Sequence, residues 1–244
     1  MGTPGKLTKD QFGYSMPPNA PLYNPFPVHY RDARVLSISY LTDLEAAAAL
    51  LPSQLELSDT PVATAIFADY PWSTVGNYKE VAQVVSCTYQ GRDVVYAVHF
   101  HVTTAAAMSA GREIAGFPKK IGHIEFEIDE MYSSYLDRPK DVRICTGIFT
   151  PVRQVEGALP AKREYVSLRV MPNPQDAAQP SLSQLIGTEW VLGPGEIWGG
   201  IGQCHFTGAS PQDPYHALPV VKTLESSLFV GSMAASAVTF VEDI

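Results

Sequence analysis

The stretch Gly111–Gly122, GREIAGFPKKIG, constrains the fold more than any other part of the chain. An alanine-rich run precedes it, and Thr104 is predicted to cap a helix that begins there. Gly116 suits the left-handed conformation just past a helix end, and Pro118 excludes further helix. Beyond this stretch polar and apolar residues alternate, which predicts a strand with one apolar face. We therefore expect a tight junction between a helix and a strand.

Two adjacent lysines, Lys119 and Lys120, lie at this junction among apolar residues. With an ordinary pKa near ~10.4, only about one lysine amine in ~2,500 is neutral at pH 7, and only the neutral amine attacks a carbonyl group. Apolar burial and a neighbouring cation both disfavour the ammonium form, so each lowers the pKa of a lysine. Lys119 beside Lys120 can receive both effects. The expected chemistry is a Schiff base with a ketone, whose protonated imine accepts electrons when a bond beta to it breaks.

The same stretch resembles the active-site signature of the acetoacetate decarboxylase family. In that signature a Gly-Arg-Glu and a short apolar step lead to an aromatic residue and Pro-Lys-Lys-x-Gly, and the family's enzyme is itself the standard example of a lysine activated by a cationic neighbour. SISYLTDLEAAAALLP and the C-terminal LPVVKTLESSLFVGSMAASAVTFVEDI also resemble family segments. The resemblance covers the chain from about Val35 onward, with identity of motif confined to the lysine region.

The resemblance implies roles for further residues around Lys119. In an ungapped register, the pocket glutamate of the family falls on Glu80, which would orient the substrate or carry a proton. Phe117 would form a wall of the pocket. Lys120 would lower the pKa of Lys119 electrostatically, unless its side chain points away, in which case apolar burial must do so.

Two positions depart from the family pattern in this register. The substrate-site arginine of the family falls on Ala33, although Arg31 and Arg34 flank it as candidate substrate-binding residues. A second family glutamate falls on Ala65. These departures leave the polar network of the decarboxylase pocket incomplete unless a neighbouring arginine enters it.

His99 and His101 are two residues apart on a predicted strand, so they share one face, which is a spacing found among metal ligands. No third ligand is evident. We therefore predict that both histidines line the substrate pocket or form hydrogen bonds in the core, and we expect neither a metal nor a cofactor.

The rest of the chain predicts a mainly β (α+β) fold: an antiparallel, barrel-like closed sheet with a few short helices and a pocket in its interior. A short helix after Asp43 and turns rich in proline and glycine separate the strands. The predicted strands are Val35–Tyr40, Val62–Tyr70, Tyr78–Thr88, Asp93–Val102, Val142–Thr150, Tyr165–Met171, Glu189–Leu192, Ile197–Phe206, Val220–Val230 and Val238–Val241.

The prolines near the N-terminus predict an extended arm over residues 1–34, followed by one domain over residues 35–244. Such an arm packs on its own sheet or on a neighbouring subunit, and together with the family resemblance it favours a homo-oligomer. The three cysteines are expected to be reduced thiols, and neither a signal peptide nor a membrane span is evident, so a cytoplasmic location is expected. The net charge of -8 argues against a nucleic-acid partner.

We therefore predict a carbon–carbon lyase that decarboxylates a β-keto acid through an imine on Lys119. One alternative keeps this lysine but uses the imine for aldol condensation or dehydration of a larger oxo acid, as related members of the superfamily do. The departures at Ala33 and Ala65 make that chemistry a competitor. The other alternative is a non-catalytic barrel that binds a small molecule.

Overall fold

The computed structural model describes residues 2–156, 162–208 and 210–244, and within them the chain forms one 13-stranded sheet. Two α-helices, α1 (Leu44–Ala48) and α2 (Ala105–Glu113), and two short 3₁₀ segments, Lys9–Gln11 and Tyr215–Ala217, accompany it. The strands are β1 (Val28–Leu41), β2 (Leu55–Glu56), β3 (Val62–Tyr70), β4 (Trp72–Ser73), β5 (Tyr78–Tyr89), β6 (Arg92–Val102), β7 (Lys119–Ile121), β8 (His123–Ile128), β9 (Tyr132–Asp137), β10 (Arg143–Gln154), β11 (Lys162–Pro172), β12 (Pro180–Phe206) and β13 (Lys222–Asp243).

Seven strands of this sheet close in a ring, in the order β1, β3, β5, β6, β11, β12 and β13. The pairings around the ring are antiparallel except at the closure, where Tyr165 and Val166 of β11 pair in parallel with Val95 and Tyr96 of β6. Strands β10, β9 and β8 branch from the second half of β12. The predicted mainly β class and the closed sheet are confirmed.

The branch formed by β8, β9 and β10 packs against one face of β1, β3 and β5. Buried residues of the ring, such as Leu36, Phe67 and Val81, meet Leu136 and Phe149 of the branch there. Because side chains alternate along a strand, the other face of the same ring strands points into the ring. The ring therefore has an apolar layer outside it and a separate interior.

The predicted strand boundaries agree best in the first half of the chain, where β3 coincides with its prediction. The last four predicted strands are instead two long ones, β12 and β13. Each remains continuous because the two pair with one another along most of their length, and the Gly193–Gly195 segment is an irregularity in that pairing rather than a turn. The short strand β9, with the polar sequence YSSYLD, was not predicted.

The helical predictions hold in position. Asp43 caps α1, accepting a hydrogen bond from the Ala46 amide at 2.8 Å. Thr104 precedes α2 as expected, but its hydroxyl forms no capping hydrogen bond. The longer helix, α2, has nine residues, and no helix within the described residues is long and apolar enough to span a membrane.

The N-terminal segment is attached to the sheet earlier than expected. β1 begins at Val28, so residues 28–34, predicted as part of the arm, pair with β13 and β4. Before β1, Tyr23 is buried and donates a hydrogen bond to Glu113 of α2 at 2.5 Å. The division into an arm and one domain remains a prediction.

Candidate active site

The two lysines of the signature lie where the chain passes from α2 to a strand, and they are the first two residues of β7. β7 pairs in parallel with β6, with Lys119 beside Phe100 and Lys120 beside His101. Adjacent residues of a strand point to opposite faces of the sheet, so the two lysine side chains diverge. The structure thus forms two separate sites, one on each face of β7.

Lys119 lies in a buried, aromatic-walled site. Its Nζ donates a hydrogen bond to Glu80 Oε2 at 2.7 Å, and the two side chains are only 5% and 4% exposed. The same Nζ lies 5.5 Å from the ring centre of Tyr78 and 5.8 Å from that of Phe117. Such cation–π contacts hold the ammonium group where few other polar partners are available. A cavity of about 20 Å³ adjoins the lysine, which is room for about one water molecule.

The signature sequence holds Lys119 in place through local contacts. Helix α2 packs directly on the lysine stem, and a Cβ at Gly111 would lie 2.6 Å from Lys119 Cδ. Gly116 has φ +72, the left-handed conformation predicted for it, and the Phe117 amide then bonds the Gly111 carbonyl at 3.0 Å. Arg112 donates to the Lys119 carbonyl at 3.2 Å. The spacing of the signature therefore positions one amine.

Glu80 is 3% exposed on β5, in register with Val102 of β6. Three tyrosines surround it, and Tyr30 and Tyr78 hydrogen-bond to each other through their hydroxyls at 3.0 Å. Burial raises the pKa of Tyr30, Tyr70 and Tyr78 well above the ordinary range, and the charge of Glu80 adds to each shift. These hydroxyls therefore keep their protons at neutral pH.

The opposite face of β7 carries a hydrogen-bonded charge network. Lys120 Nζ donates to Asp213 Oδ1 at 3.0 Å and also to the Gln212 carbonyl. Arg138 Nη1 lies 2.7 Å from both Asp213 oxygens. Burial alone would raise the pKa of Asp213, but the hydrogen bonds from Lys120 and Arg138 outweigh it and the pKa is lowered. Lys120 is therefore turned away from Lys119 and paired elsewhere.

His101 and His99 lie on this second face of β7, away from Lys119. Of the two roles predicted for them, pocket lining and hydrogen bonding in the core, the position of His101 fits the second, and a part in substrate binding stays a prediction. His101 Nε2 lies 3.0 Å from Asp213 Oδ1, and its Nδ1 lies 3.0 Å from the Tyr215 hydroxyl. Burial lowers the pKa of each histidine to about 4, so both are neutral at pH 7. The contact of His101 with Asp213 is accordingly a hydrogen bond. Within the described residues, no group of three or more potential ligands has the geometry of a metal site.

The two flanking arginines have other partners. The Arg31 guanidinium lies 4.6 Å above the Trp72 ring, and Arg34 Nη1 pairs with Asp69 Oδ2 at 2.7 Å. Neither side chain lines the cavity at Lys119. Ala33 is buried in the cluster that contains Tyr30 and Tyr78. A part for Arg31 and Arg34 in substrate binding stays a prediction.

The other departure, Ala65, lies away from the lysine. Its neighbours are the buried residues of the layer outside the ring. Ala68 pairs with Glu80, and Ala65, an odd number of positions away on the same strand, points to the opposite face. A glutamate at position 65 would therefore face away from Lys119, so its lack does not change the site.

Several residues of the two sites were not anticipated. Tyr78 could have been found, because it precedes Glu80 by two residues and so shares its face of β5. Trp190 on β12 also lines the cavity at Lys119. Asp213 belongs to the segment between β12 and β13, in which residue 209 lies outside the described residues. Neither of these two carries a local pattern that points to the site.

Known proteins provide an independent comparison. The family model described as acetoacetate decarboxylase (ADC) matches residues 14–244. Decarboxylase DEC1 of Cochliobolus heterostrophus is 27% identical over 238 residues, 93% of this chain and 94% of that protein. Acetoacetate decarboxylase 1 of Bradyrhizobium diazoefficiens is 34% identical over 131 residues, only about half of either chain at 53% and 52%.

Solved structures show the same fold. The crystal structure of acetoacetate decarboxylase from Legionella pneumophila has a TM-score of 0.87 at 23% identity, covering 99% of this chain and 98% of that one. The enduracididine biosynthesis enzyme MppR, complexed with pyruvate, has a TM-score of 0.78 at 20% identity, covering 96% and 97%. The fold thus occurs in proteins named for different roles, whereas the family model spans nearly the whole sequence. The chain therefore belongs to the acetoacetate decarboxylase family, as a carbon–carbon lyase of the decarboxylase type.

Proposed function

We propose that this protein decarboxylates a β-keto acid through a Schiff base between the substrate ketone and Lys119. The observation that carries the proposal is the buried pair of Lys119 Nζ and Glu80 Oε2, 2.7 Å apart beside an aromatic-walled cavity. An amine and a proton acceptor within hydrogen-bond reach are what nucleophilic catalysis by lysine requires.

The first step forms the imine. Glu80 takes one proton from the Lys119 ammonium group, and the neutral amine attacks the ketone carbon of the substrate. The resulting carbinolamine loses its hydroxyl as water, for which Glu80 returns the proton. The product is a protonated imine between Nζ and the former ketone carbon.

The second step breaks the carbon–carbon bond. The electron pair of the bond to the carboxylate moves toward the imine nitrogen, carbon dioxide leaves and an enamine remains. A proton added at carbon regenerates the imine, and water then hydrolyses it to the ketone and free Lys119. Apolar walls such as Phe117 and Ile114 favour this step, because they stabilise neutral carbon dioxide better than a carboxylate.

The other predicted residues take supporting parts in this scheme. Since Lys120 is paired with Asp213, apolar burial and proton transfer to Glu80 remain as the means of activating Lys119. His101 bonds to Asp213, and Asp213 in turn pairs with Lys120. We therefore assign His101 and Lys120 to the positioning of β7. Arg31 and Arg34 would reach the substrate only by leaving Trp72 and Asp69.

Reductive trapping tests the proposal. Borohydride is added to the protein with acetoacetate or with pyruvate, and the modified peptide is identified by mass spectrometry. We expect an adduct on Lys119 with acetoacetate, together with release of carbon dioxide. Lys120→Met, which keeps the nucleophile, should still be trapped, whereas Lys119→Met should not.

Each other outcome has a defined meaning. Trapping with pyruvate and no release of carbon dioxide from acetoacetate would favour aldol or dehydration chemistry. An adduct on Lys120, or no adduct on the folded protein with either ketone, would contradict the proposed nucleophile. The last result would favour the non-catalytic binding protein.

We further propose that the chain forms a homo-oligomer. Its N-terminal arm exposes large apolar side chains, among them Leu7, Phe12 and Met16, at 52%, 51% and 69% exposure. Burying them against a neighbouring subunit would be favourable. Light scattering should give a multiple of the 26.6 kDa chain mass, and Phe12→Ser combined with Met16→Ser should shift it toward the monomer. A monomer at micromolar concentration would contradict this.

A further inference from the structure

Two cavities of very different size meet at Trp190. One is the cavity at Lys119, of about 20 Å³, and the other lies inside the ring of strands and has about 270 Å³. The indole of Trp190 lines both. The smaller cavity has no room for a keto acid, whereas the larger one is close to the ~300 Å³ at which small-molecule pockets begin.

The larger cavity, which we call the ring cavity, leads outward from the level of the catalytic pair. Val35 at its inner end is in register with Ala68 of β3, which in turn pairs with Glu80. Further along β1 the lining changes from apolar to hydroxyl-bearing, since Ser37 follows Val35 on the same face. Besides Tyr165, the hydroxyl-bearing residues are Ser37, Ser39, Thr64 and Ser227. A ligand there would meet apolar groups near Lys119 and polar groups farther away.

The outer end of the ring cavity opens to solvent. Arg163 of β11 and Glu225 of β13 both line it, and both are exposed. At the inner end Tyr165 and Trp190 form the wall, with ring centres 5.9 Å apart. The cavity thus connects solvent to the aromatic residues beside Lys119.

Trp190 is suited to act as a movable partition. Its ring packs on Tyr30 at 5.7 Å and Phe117 at 6.4 Å between ring centres. Its Nε1 is buried, yet it has no hydrogen-bond partner among the described residues. The contacts of the indole with the described residues are packing contacts, so moving the ring breaks no hydrogen bond to them. A native structure rarely leaves such a buried donor unpaired without a reason.

The chemistry of the proposed substrate also requires the space of the ring cavity. The ketone carbon that Lys119 attacks carries two branches, one ending in the carboxylate and the other the acyl chain. Within the described residues, the residues that line the small cavity are apolar apart from Lys119 and the polar groups of Tyr30, Tyr78 and Trp190. Only one short branch can stay beside the lysine, so the other must pass the indole.

We propose that the ring cavity is the subsite for the acyl chain of the substrate, and that Trp190 determines specificity by separating it from Lys119. The substrate class is then a β-keto acid whose acyl chain is several carbons longer than that of acetoacetate. This inference rests on the proposed Schiff-base decarboxylation. It adds the class of substrate and a residue that touches it.

A series of chain lengths tests the inference. The rate of carbon dioxide release is measured for 3-oxobutanoate, 3-oxohexanoate and 3-oxooctanoate. Each methylene that enters the cavity should raise kcat/KM about fourfold, because its burial is favourable. A kcat/KM that is constant or falls with chain length would overturn the inference.

A matched pair of variants locates the effect. Ser37→Leu fills the ring cavity from β1, whereas Ser133→Leu places the same bulk at a half-buried strand position of β9 that lines neither cavity. We expect Ser37→Leu to lower kcat/KM for 3-oxooctanoate at least tenfold more than for 3-oxobutanoate, and Ser133→Leu to lower both equally. An equal effect of Ser37→Leu on both acids would contradict the subsite.

Trp190 itself is tested by Trp190→Phe, which keeps an aromatic partner for Tyr30 and Phe117 but shortens the partition. The ratio of kcat/KM for 3-oxooctanoate over 3-oxobutanoate should rise several-fold, since less of the wall must move. Thermal unfolding of the variant monitors its folding. An unchanged ratio in a folded variant would show that the acyl chain does not pass this residue.

Binding of unreactive acids separates the two possible failures. Octanoate and butanoate have no ketone, so calorimetry with them reports the subsite without imine formation. Tighter binding of octanoate, lost in Ser37→Leu, together with no borohydride adduct would leave the subsite and refute the Schiff base. Turnover of 3-oxobutanoate with an adduct on Lys119, but equal binding of both acids, would refute the subsite alone.

Discussion

Lys119 and Lys120 are neighbours in the chain, and each pairs with a carboxylate, yet the two faces of β7 on which they lie have opposite characters. Lys119 has a single carboxylate partner and two aromatic faces, and its side chain is 5% exposed. Lys120 is 38% exposed and shares Asp213 with Arg138 and His101. The pair of Lys119 and Glu80 is isolated in an apolar site, whereas Lys120 belongs to a charge network that reaches water.

In the proposed mechanism, this difference is the reason that Lys119 and not Lys120 acts as the nucleophile. A proton shift within an isolated pair leaves a neutral amine next to a neutral acid, which an apolar site tolerates well. In the network, Lys120 stabilises a carboxylate that two further groups also contact, so losing its proton would remove part of that stabilisation. We therefore expect the two identical side chains to differ in reactivity because their surroundings differ.

The largest expected effect tests whether Lys119 and Lys120 have separate roles. Lys119→Met should lower kcat/KM by at least about 10³-fold, because it removes the nucleophile and keeps the volume of the side chain. Lys120→Met should lower it by no more than about tenfold, since it changes only the support of β7. Steady-state carbon dioxide release measures both. Equal losses in the two variants would mean that the faces do not have separate roles.

Glu80→Gln sharpens the comparison on the Lys119 side. The amide keeps the shape but cannot take the lysine proton, so kcat should fall about 10²-fold, as for loss of a general base. The remaining activity should rise with pH, because solvent must then remove the proton. Glu125→Gln, which loses a partly exposed pair with Lys79 and a contact with His123, is the control and should retain its activity. A wild-type rate in Glu80→Gln would refute the proton transfer.

Asp213→Asn should act mainly on stability. It withdraws the charge from Lys120 and Arg138, which are 38% and 31% exposed and therefore partly compensated by water. We expect a loss of about 2–3 kcal/mol in the free energy of unfolding, as for hydrogen bonds to charged groups. Denaturant unfolding measures it, and Asp69→Asn, which disrupts one ion pair with Arg34, should lose less. A larger loss for Asp69→Asn would contradict the importance of the network.

The smallest effect concerns pH. Burial lowers the pKa of His101 to about 4 from an ordinary 6.5, so the unfolded chain binds its proton first as the solution is acidified. The stability from neutral His101 is complete above pH 6.5 and is lost as the pH falls from 6.5 to about 4, by about 1–2 kcal/mol at pH 5. Unfolding curves from pH 7 to 5 measure this loss.

A variant assigns the pH dependence to its residue. His101→Gln removes the titrating ring, so its stability should change less between pH 7 and 5 than that of the wild type. His99 has a similarly lowered pKa and should account for the slope that remains. A slope unchanged by His101→Gln would exclude this histidine as the source.

Much of the fold was predictable because its patterns are local. β3 and β5 are runs rich in β-branched and aromatic residues, and both begin at their predicted residues. The signature likewise predicted the left-handed conformation of Gly116 and the helix before it, since both depend on nearby residues. β9 was not predicted because its sequence is polar. It is nevertheless a strand, since it pairs with β10 on one edge and with β8 on the other.

The surroundings of the two lysines were predicted less accurately than the strands, because these surroundings depend on distant parts of the chain. His99 and His101 were correctly placed on one face of a strand, but only the parallel pairing of β7 with β6 decides which lysine shares that face. Asp213 and Trp190 come from segments about 70 to 90 residues away in sequence. No periodicity connects such residues to Lys119.

The sequence by itself determined the strand-rich class, the family signature and the local geometry that presents two lysines in succession. Those features follow from backbone preferences and alternation, which act over a few residues. Only the tertiary structure decided that the ring closes between β6 and β11, that Lys120 is held by Asp213 and that Trp190 separates two cavities. These features depend on contacts between distant segments, whose free energy exists only once the whole sheet has formed.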